Sequence, residues 1–174
     1  MKISLESVKE LRQITSASIS DCRDALQEAG GDIKKAVELL RKRGLEMAVQ
    51  KQERVAKEGR VESYLHTGNK LGVLIEVNSE TDFVAKNSDF SQFTKDLAMQ
   101  IAASNPSYIK REDVSQEVIE KVKDKELFFK EHCLLEQPFI KDPNITIKDY
   151  LGDMVVKLGE NIVIRRFVRY KVGE

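Results

Sequence analysis

Apolar positions from Leu71 to Val77 alternate with period two. Leu71, Val73, Ile75 and Val77 share one face, and Gly72, Leu74 and Glu76 the other. From Phe90 the period lengthens: Phe90, Phe93, Leu97 and Ile101 recur at helical spacing. The pattern predicts a strand over about 70–77 and a helix over 88–103, stopped at Asn105-Pro106 because proline disfavours helix just before itself. Between them lies a corner, Asn78-Ser79-Glu80-Thr81-Asp82-Phe83-Val84-Ala85-Lys86-Asn87. Ser79-x-x-Asp82 reads there as a capping box, which satisfies free N–H groups at a helix start. Phe83 breaks the strand's alternation and lies seven residues before Phe90. Two readings follow: Phe83 extends the helix's apolar face into its own core, or it stands on a protruding tip and wedges into another protein. The pattern does not separate them.

The first 44 residues read as three short helices. Ser4 can cap the first, with Leu5, Val8 and Leu11 apolar. Ser18-x-x-Asp21 is a second capping box, followed by Ile19, Cys22, Ala25, Leu26 and Ala29 at helical spacing, and Gly30-Gly31 ends that helix. Asp32 caps a third, with Ile33, Ala36, Val37 and Leu40 inward and Gly44 as its close. Such a unit has a small core and suits a docking module. Residues 45–59 contain no proline, and no glycine before Gly59, and read as a connecting helix.

Residues 60–174 read as a second, mixed unit. Strands at 60–66 and 70–77 flank the turn Thr67-Gly68-Asn69. Residues 114–135 are helical in propensity but lose periodicity after Val122, and Pro138 with Asp142-Pro143-Asn144 marks a loop. Thr146-x-x-Asp149 opens the most regular helix, with Ile147, Tyr150, Leu151, Met154, Val155 and Leu158 on one stripe and Gly159 at its end. The last strand, about 161–172, sets Ile162, Ile164, Val168, Tyr170 and Val172 against Arg165, Arg169 and Lys171. A three-stranded antiparallel sheet with helices on one face places the chain in the α+β class.

Composition removes several function classes. The 174 residues balance 29 basic against 29 acidic side chains, which argues against a protein whose main task is neutralising nucleic-acid phosphates. Arg165, Arg166, Arg169 and Lys171 are the densest basic cluster, and an RNA-binding reading of them competes with that of an exposed strand face. Cys22 and Cys133 fit neither a disulfide framework nor a zinc ligand set. His132 beside Cys133 is a poor nucleophile–base pair, because neighbouring helix residues do not face each other. Phosphate-loop, dinucleotide and zinc-protease motifs are absent from the sequence. No secretory or membrane-spanning run is visible, so a cytoplasmic setting, no membrane partner, no metal and no cofactor are expected. A binding or regulatory protein is favoured over an enzyme.

Longer runs point to a family. Val8-Lys9-Glu10-Leu11-Arg12 through Thr15, and Asp21-Cys22-Arg23-Asp24-Ala25-Leu26-Gln27-Glu28-Ala29-Gly30-Gly31-Asp32-Ile33, resemble the N-terminal domain of translation elongation factor Ts, itself similar to ubiquitin-associated three-helix modules. Leu74 to Asn87 resembles that family's most specific run. Gln137 to Pro143 and Gly159-Glu160-Asn161-Ile162-Val163-Ile164-Arg165-Arg166-Phe167 resemble its C-terminal part. The resemblance implies a guanine nucleotide exchange factor that performs no bond chemistry, with elongation factor Tu as partner, GDP-bound and nucleotide-free. It implies that Thr81, Asp82, Phe83 and Val84 form a tip that enters the partner and disturbs its magnesium site, with Phe83 partly exposed in the free chain and Val77 and Phe90 anchoring its flanks. It implies further contacts from Arg12, Ile19, Ser20 and Arg23. The usual Thr-Gly-Ala-Gly-Met-Met-Asp-Cys appears here as Thr15-Ser16-Ala17-Ser18-Ile19-Ser20-Asp21-Cys22, so two glycines and two methionines are replaced. The chain looks like the family's short, single-core form, for which a homodimer through the sheet region is expected. An adaptor without exchange activity is the alternative that the first 44 residues alone would allow.

Overall fold

The computed structural model describes residues 3–15, 17–51 and 53–174. Two helices, α1 (Leu5–Thr15) and α2 (Ile19–Glu28), pack with α3 (Ile33–Lys51). Their starts follow the capping rules. Ser4 Oγ accepts from Ser7 N at 3.0 Å, Ser18 Oγ from Asp21 N at 3.1 Å and Asp32 Oδ1 from Lys35 N at 3.2 Å. Val8, Leu11, Cys22, Ala25, Leu26, Ala36 and Leu40 form a small core of their own. Of the three apolar positions named on α1, Val8 and Leu11 are buried and Leu5 is 81% exposed.

Gly44 does not end the third helix. α3 runs through it to Lys51, so residues 45–51 continue α3 and a separate connecting helix to residue 59 does not form. The reason lies across the molecule, in α8 (Ile147–Leu158). A Cβ on Gly44 would sit 2.7 Å from Val156 Cγ2 and 3.1 Å from the Gly152 carbonyl; one on Gly152 would sit 3.0 Å from Leu45 Cδ2. The two glycines let α3 and α8 touch nearly backbone to backbone. Gly152→Val is expected to destabilise the chain by about 1–3 kcal/mol through overpacking, read as a lowered urea midpoint with unchanged m-value.

A cleft of about 210 Å³ opens beside this crossing, lined in part by Ile14, Val37, Arg41, Asp89, Asp153 and Lys157. Arg41 pairs with Asp153 at 3.6 Å and Lys157 with Asp89 at 2.8 Å. Burial pushes the Asp153 carboxyl up to about 6, against the pull of Arg41. Between the ordinary carboxylate value and 6, the folded chain holds a proton that the unfolded chain has lost. The group's contribution to stability therefore falls as pH rises through that window and levels off above it. Asp153→Asn is expected to gain stability relative to the unaltered chain between about pH 4 and pH 7, in urea unfolding at each pH.

The second unit is built on strands β1 (Glu58–Leu65) and β2 (Leu71–Ser79), which form an antiparallel hairpin, and β5 (Val163–Lys171), antiparallel to β2 on its other side. Gly59 stops no helix; it is the second residue of β1, at φ +139°, where a Cβ would lie 2.2 Å from the Val77 carbonyl oxygen. The one-turn helix α4 (Asp82–Ala85) and the long α5 (Ser88–Ser104) follow β2. Phe90, Phe93, Leu97 and Ile101 are fully buried, and Thr94, Asp96, Ala98 and Gln100 are buried as well. α5 is thus enclosed on more sides than one stripe predicts, with β1 and β2 among its neighbours. Phe93 meets Tyr150 of α8 edge to face at 4.9 Å, and Phe139 stacks on the same ring at 4.8 Å.

Residues 114–135 do not form one helix. A 3-10 turn (Arg111–Asp113), α6 (Gln116–Lys121), α7 (Lys125–His132) and another 3-10 turn (Leu134–Glu136) take their place, broken where the periodicity fails. Arg111 ties them together, donating to both Glu126 and Glu136. The loop expected around Pro143 is a short antiparallel pair, β3 (Pro138–Phe139) and β4 (Asp142–Thr146). α8 opens on the predicted capping box, with Thr146 Oγ1 accepting from Asp149 N at 3.1 Å and Asp149 Oδ2 accepting from Thr146 N at 2.9 Å.

The last strand changes face. Glu76 opposes Arg166 and Val77 opposes Ile164, so Arg165 is the extra residue of a bulge. Ile162 and Ile164 point into the core, but beyond Arg165 the alternation inverts. Phe167 and Arg169 lie on the packed side, while Val168, Tyr170 and Val172, expected to share a face with Ile164, are exposed. On the same face of β1 and β2, Val61, Leu65 and Leu74 are exposed too. The sheet's outer face therefore exposes apolar side chains around one ion pair, Glu76–Arg166.

Candidate functional site: the β2–α4–α5 corner

β2 ends at Ser79, which is fully buried. Ser79 does not cap a helix, because its hydroxyl donates to the Thr81 carbonyl at 2.9 Å. Thr81 is the cap of α4, accepting from Val84 N at 3.4 Å, and Asn87 caps α5, accepting from Asp89 N at 2.7 Å. The single capped start expected at 79–82 is two starts in succession. A one-turn helix lies between them, closed by Lys86 N donating to Asp82 O and Asn87 N to Val84 O.

A helix advances about 100° per residue, so neighbours in one turn face different directions. Val84 packs into the main core together with Val77 and Phe90, both fully buried. Phe83 is consequently turned out and is 82% exposed. Asp82 lies beside it and accepts from Lys86 Nζ at 2.6 Å. That hydrogen bond, followed by the charge of Lys86, holds the Asp82 carboxyl below its ordinary range. The four residues named from the sequence thus fall in one turn with unequal roles. Thr81 shapes the entry, Val84 fastens the turn to the core, and Asp82 and Phe83 meet solvent.

The turn is fastened from a distant part of the chain. Glu160, just past α8, accepts from Glu80 N at 3.1 Å and Thr81 N at 3.0 Å through one carboxylate oxygen, and from the Thr81 hydroxyl at 2.6 Å through the other. Glu80 returns the contact, accepting from Asn161 N at 2.6 Å. Sequence reasoning missed Glu160 and Asn161, since no local rule marks a carboxylate for a backbone some eighty positions away.

The N-terminal residues Arg12, Ile19, Ser20 and Arg23 are all exposed, Ile19 to 60%. Ser18 supplies the α2 cap. Ser16 lies outside the described residues. Cys22 and Cys133 are fully buried and free, and burial pushes the Cys133 thiol up to about 11, so neither is an available thiolate near neutrality. The late basic cluster is dispersed. Arg166 pairs with Glu76 at 2.7 Å on the outer sheet face, Arg169 donates to the Ala102 carbonyl behind it, and Lys171 pairs with Glu174. No helix among the described residues is long and apolar enough to cross a membrane.

The family model described as "Elongation factor TS" matches residues 3–127 and 125–174. The chain is 51% identical to an elongation factor Ts of Carboxydothermus hydrogenoformans, over 99% of this chain and 90% of that protein. The same identity relates it to an elongation factor Ts of Caldanaerobacter subterraneus subsp. tengcongensis, over 99% of this chain and 98% of that protein. An elongation factor Ts of Thermodesulfovibrio yellowstonii is 50% identical over all of this chain and 98% of its own. With the family model matched from residue 3 to residue 174 and relatives half identical over nearly all of it, the chain belongs to the elongation factor Ts family.

Proposed function

We propose that this chain is a cytoplasmic guanine nucleotide exchange factor that binds elongation factor Tu carrying GDP, promotes GDP release and lets GTP bind. The observation that carries this reading is Phe83, a large apolar ring 82% exposed on a turn capped at both ends and pinned by Val84. A ring so held lacks its packing partner within its own chain. Its burial in a partner contributes roughly 1.5–3 kcal/mol. If it packs only when the partner's nucleotide site is distorted, factor and GDP weaken each other reciprocally. A thousandfold faster release needs a barrier lower by about 4 kcal/mol, of which the ring supplies a large share. Asp82, held ionised by Lys86, adds polar contacts to the partner's loops, and displacement of magnesium belongs to the same distorted state. No bond is made or broken. Arg12, Ile19, Ser20 and Arg23 give the N-terminal module a second contact.

The short core works as a homodimer through the outer face of its sheet. Val61, Leu65, Leu74, Val168, Tyr170 and Val172 are 36–73% exposed there. Exposed apolar side chains grouped on one sheet face mark an interaction surface, and a two-fold axis brings the same face of a second copy against it. One experiment tests both parts. Release of fluorescent GDP from elongation factor Tu is followed across a range of chain concentration. Acceleration is expected, and it rises with the dimer fraction. Binding to the partner with no change in GDP release would replace this reading with that of an adaptor.

A further inference from the structure

We propose that Glu160 is a positioning residue for the exchange tip, holding α4 at the angle that presents Phe83; the proposal rests on the tip reading above. A helix of four residues has no stability of its own, so its direction is set by what holds its ends. The C-terminal side is held by Asn87 N donating to the Val84 carbonyl, and one side by the buried Val84 side chain. At the entry, two backbone N–H groups and one hydroxyl converge on the Glu160 carboxylate at 2.6–3.1 Å. Bonds to an ionised acceptor are about twice as strong as neutral ones.

Glu160 is itself tied on both sides. Gly159, in the left-handed region at φ +73°, ends α8 and turns the chain toward the corner. Its carbonyl accepts from Lys51 at the end of α3. Asn161 donates from its backbone to Glu80 and from its side chain to the Arg54 carbonyl at 2.8 Å, and Arg54 pairs with Glu80 at 3.6 Å. The two glutamates thus exchange backbone caps, and the segment after α3 is bound into the same knot. The tip's orientation is coupled through Glu160 to the C-terminus of α8, the helix on which α3 also packs.

Glu160 is half-buried beside exposed Thr81, so on its loss water reaches the freed N–H groups, and circular dichroism of each variant checks that the fold is kept. GDP release from elongation factor Tu is measured with Glu160→Ala, Glu160→Gln, Phe83→Ala and the Glu160→Ala, Phe83→Ala double variant. Glu160→Ala is expected to slow release about tenfold, and Glu160→Gln, which keeps the volume and one accepting oxygen, about threefold. In the Phe83→Ala background, Glu160→Ala is expected to cost less than about twofold, because a positioning residue has nothing left to position. Amide exchange at Thr81 and Val84 is expected to quicken in Glu160→Ala while exchange in α8 does not. Release with both Glu160 variants equal to that of the unaltered chain overturns the proposal, as does full additivity with Phe83→Ala. Should Glu160→Ala fail to fold, Glu160→Gln takes its place: slowed release supports the positioning role, and release at the unaltered rate overturns it. If Phe83→Ala alone releases GDP at the unaltered rate, the tip reading fails, which is a separate outcome.

Discussion

Phe83→Ala is expected to slow GDP release from elongation factor Tu by about ten- to a hundredfold while leaving the chain folded. Both halves follow from the ring's position. It is 82% exposed, so its removal opens no cavity, and surface substitutions of this sort shift stability by about 0.5 kcal/mol or less. What is lost is burial gained only in the complex, roughly 1.5–3 kcal/mol, and each 1.4 kcal/mol is a factor of about ten in rate. The loss falls on the maximal release rate more than on the concentration needed to reach it, if the ring packs chiefly in the distorted partner. Stopped-flow release of a fluorescent GDP, with circular dichroism of each protein, measures the two halves. Asp82→Ala is expected to act in the same direction and less strongly, since its pair with Lys86 is solvent-exposed. Release at the unaltered rate with folded Phe83→Ala would sink the tip mechanism.

Leu74→Lys combined with Val168→Lys is expected to abolish the proposed dimer and leave a monomer. The two residues oppose each other in register on β2 and β5, on the sheet's outer face. A two-fold axis places each substitution in the interface twice, so four ammonium groups would meet where apolar side chains met. Like charges brought together across an interface cost several kcal/mol, enough to weaken association by about a thousandfold or more. The packed side of the sheet, with Val73, Ile75 and Val77 against α5, is untouched, so the monomer keeps its fold. Sedimentation equilibrium reads the change. A dimer that survives both substitutions would mean that the copies meet elsewhere, and a chain monomeric at every concentration would remove the sheet face as an interface.

The corner shows how far the sequence carries. The β2 alternation, the α5 stripe and the presence of a helix start between them were legible, because each rests on local periodicity and on side chains capping their own neighbours. The same holds for the caps at Ser18, Asp32 and Thr146 and for the stop at Gly159. The direction of Phe83 was not legible from pattern. Spacing alone favoured burial on α5's face, and the ring is exposed instead. It points outward because Thr81 and Asn87, rather than Ser79, take the caps, which turns Val84 inward.

Three further features lay beyond any local rule. Gly44 reads as a helix stop until Gly152 is seen across from it. Val168, Tyr170 and Val172 read as core until the bulge at Arg165 inverts their face, and a one-residue slip is invisible in composition. Glu160 reads as a surface charge until the corner folds against it. Sequence by itself determined the class, the family resemblance, most of the elements and the place of the tip, since these depend on contacts within a turn or a strand. Tertiary structure alone decided which way the tip points, which sheet face is bare and what holds the tip, since these depend on residues that only the closed chain brings together.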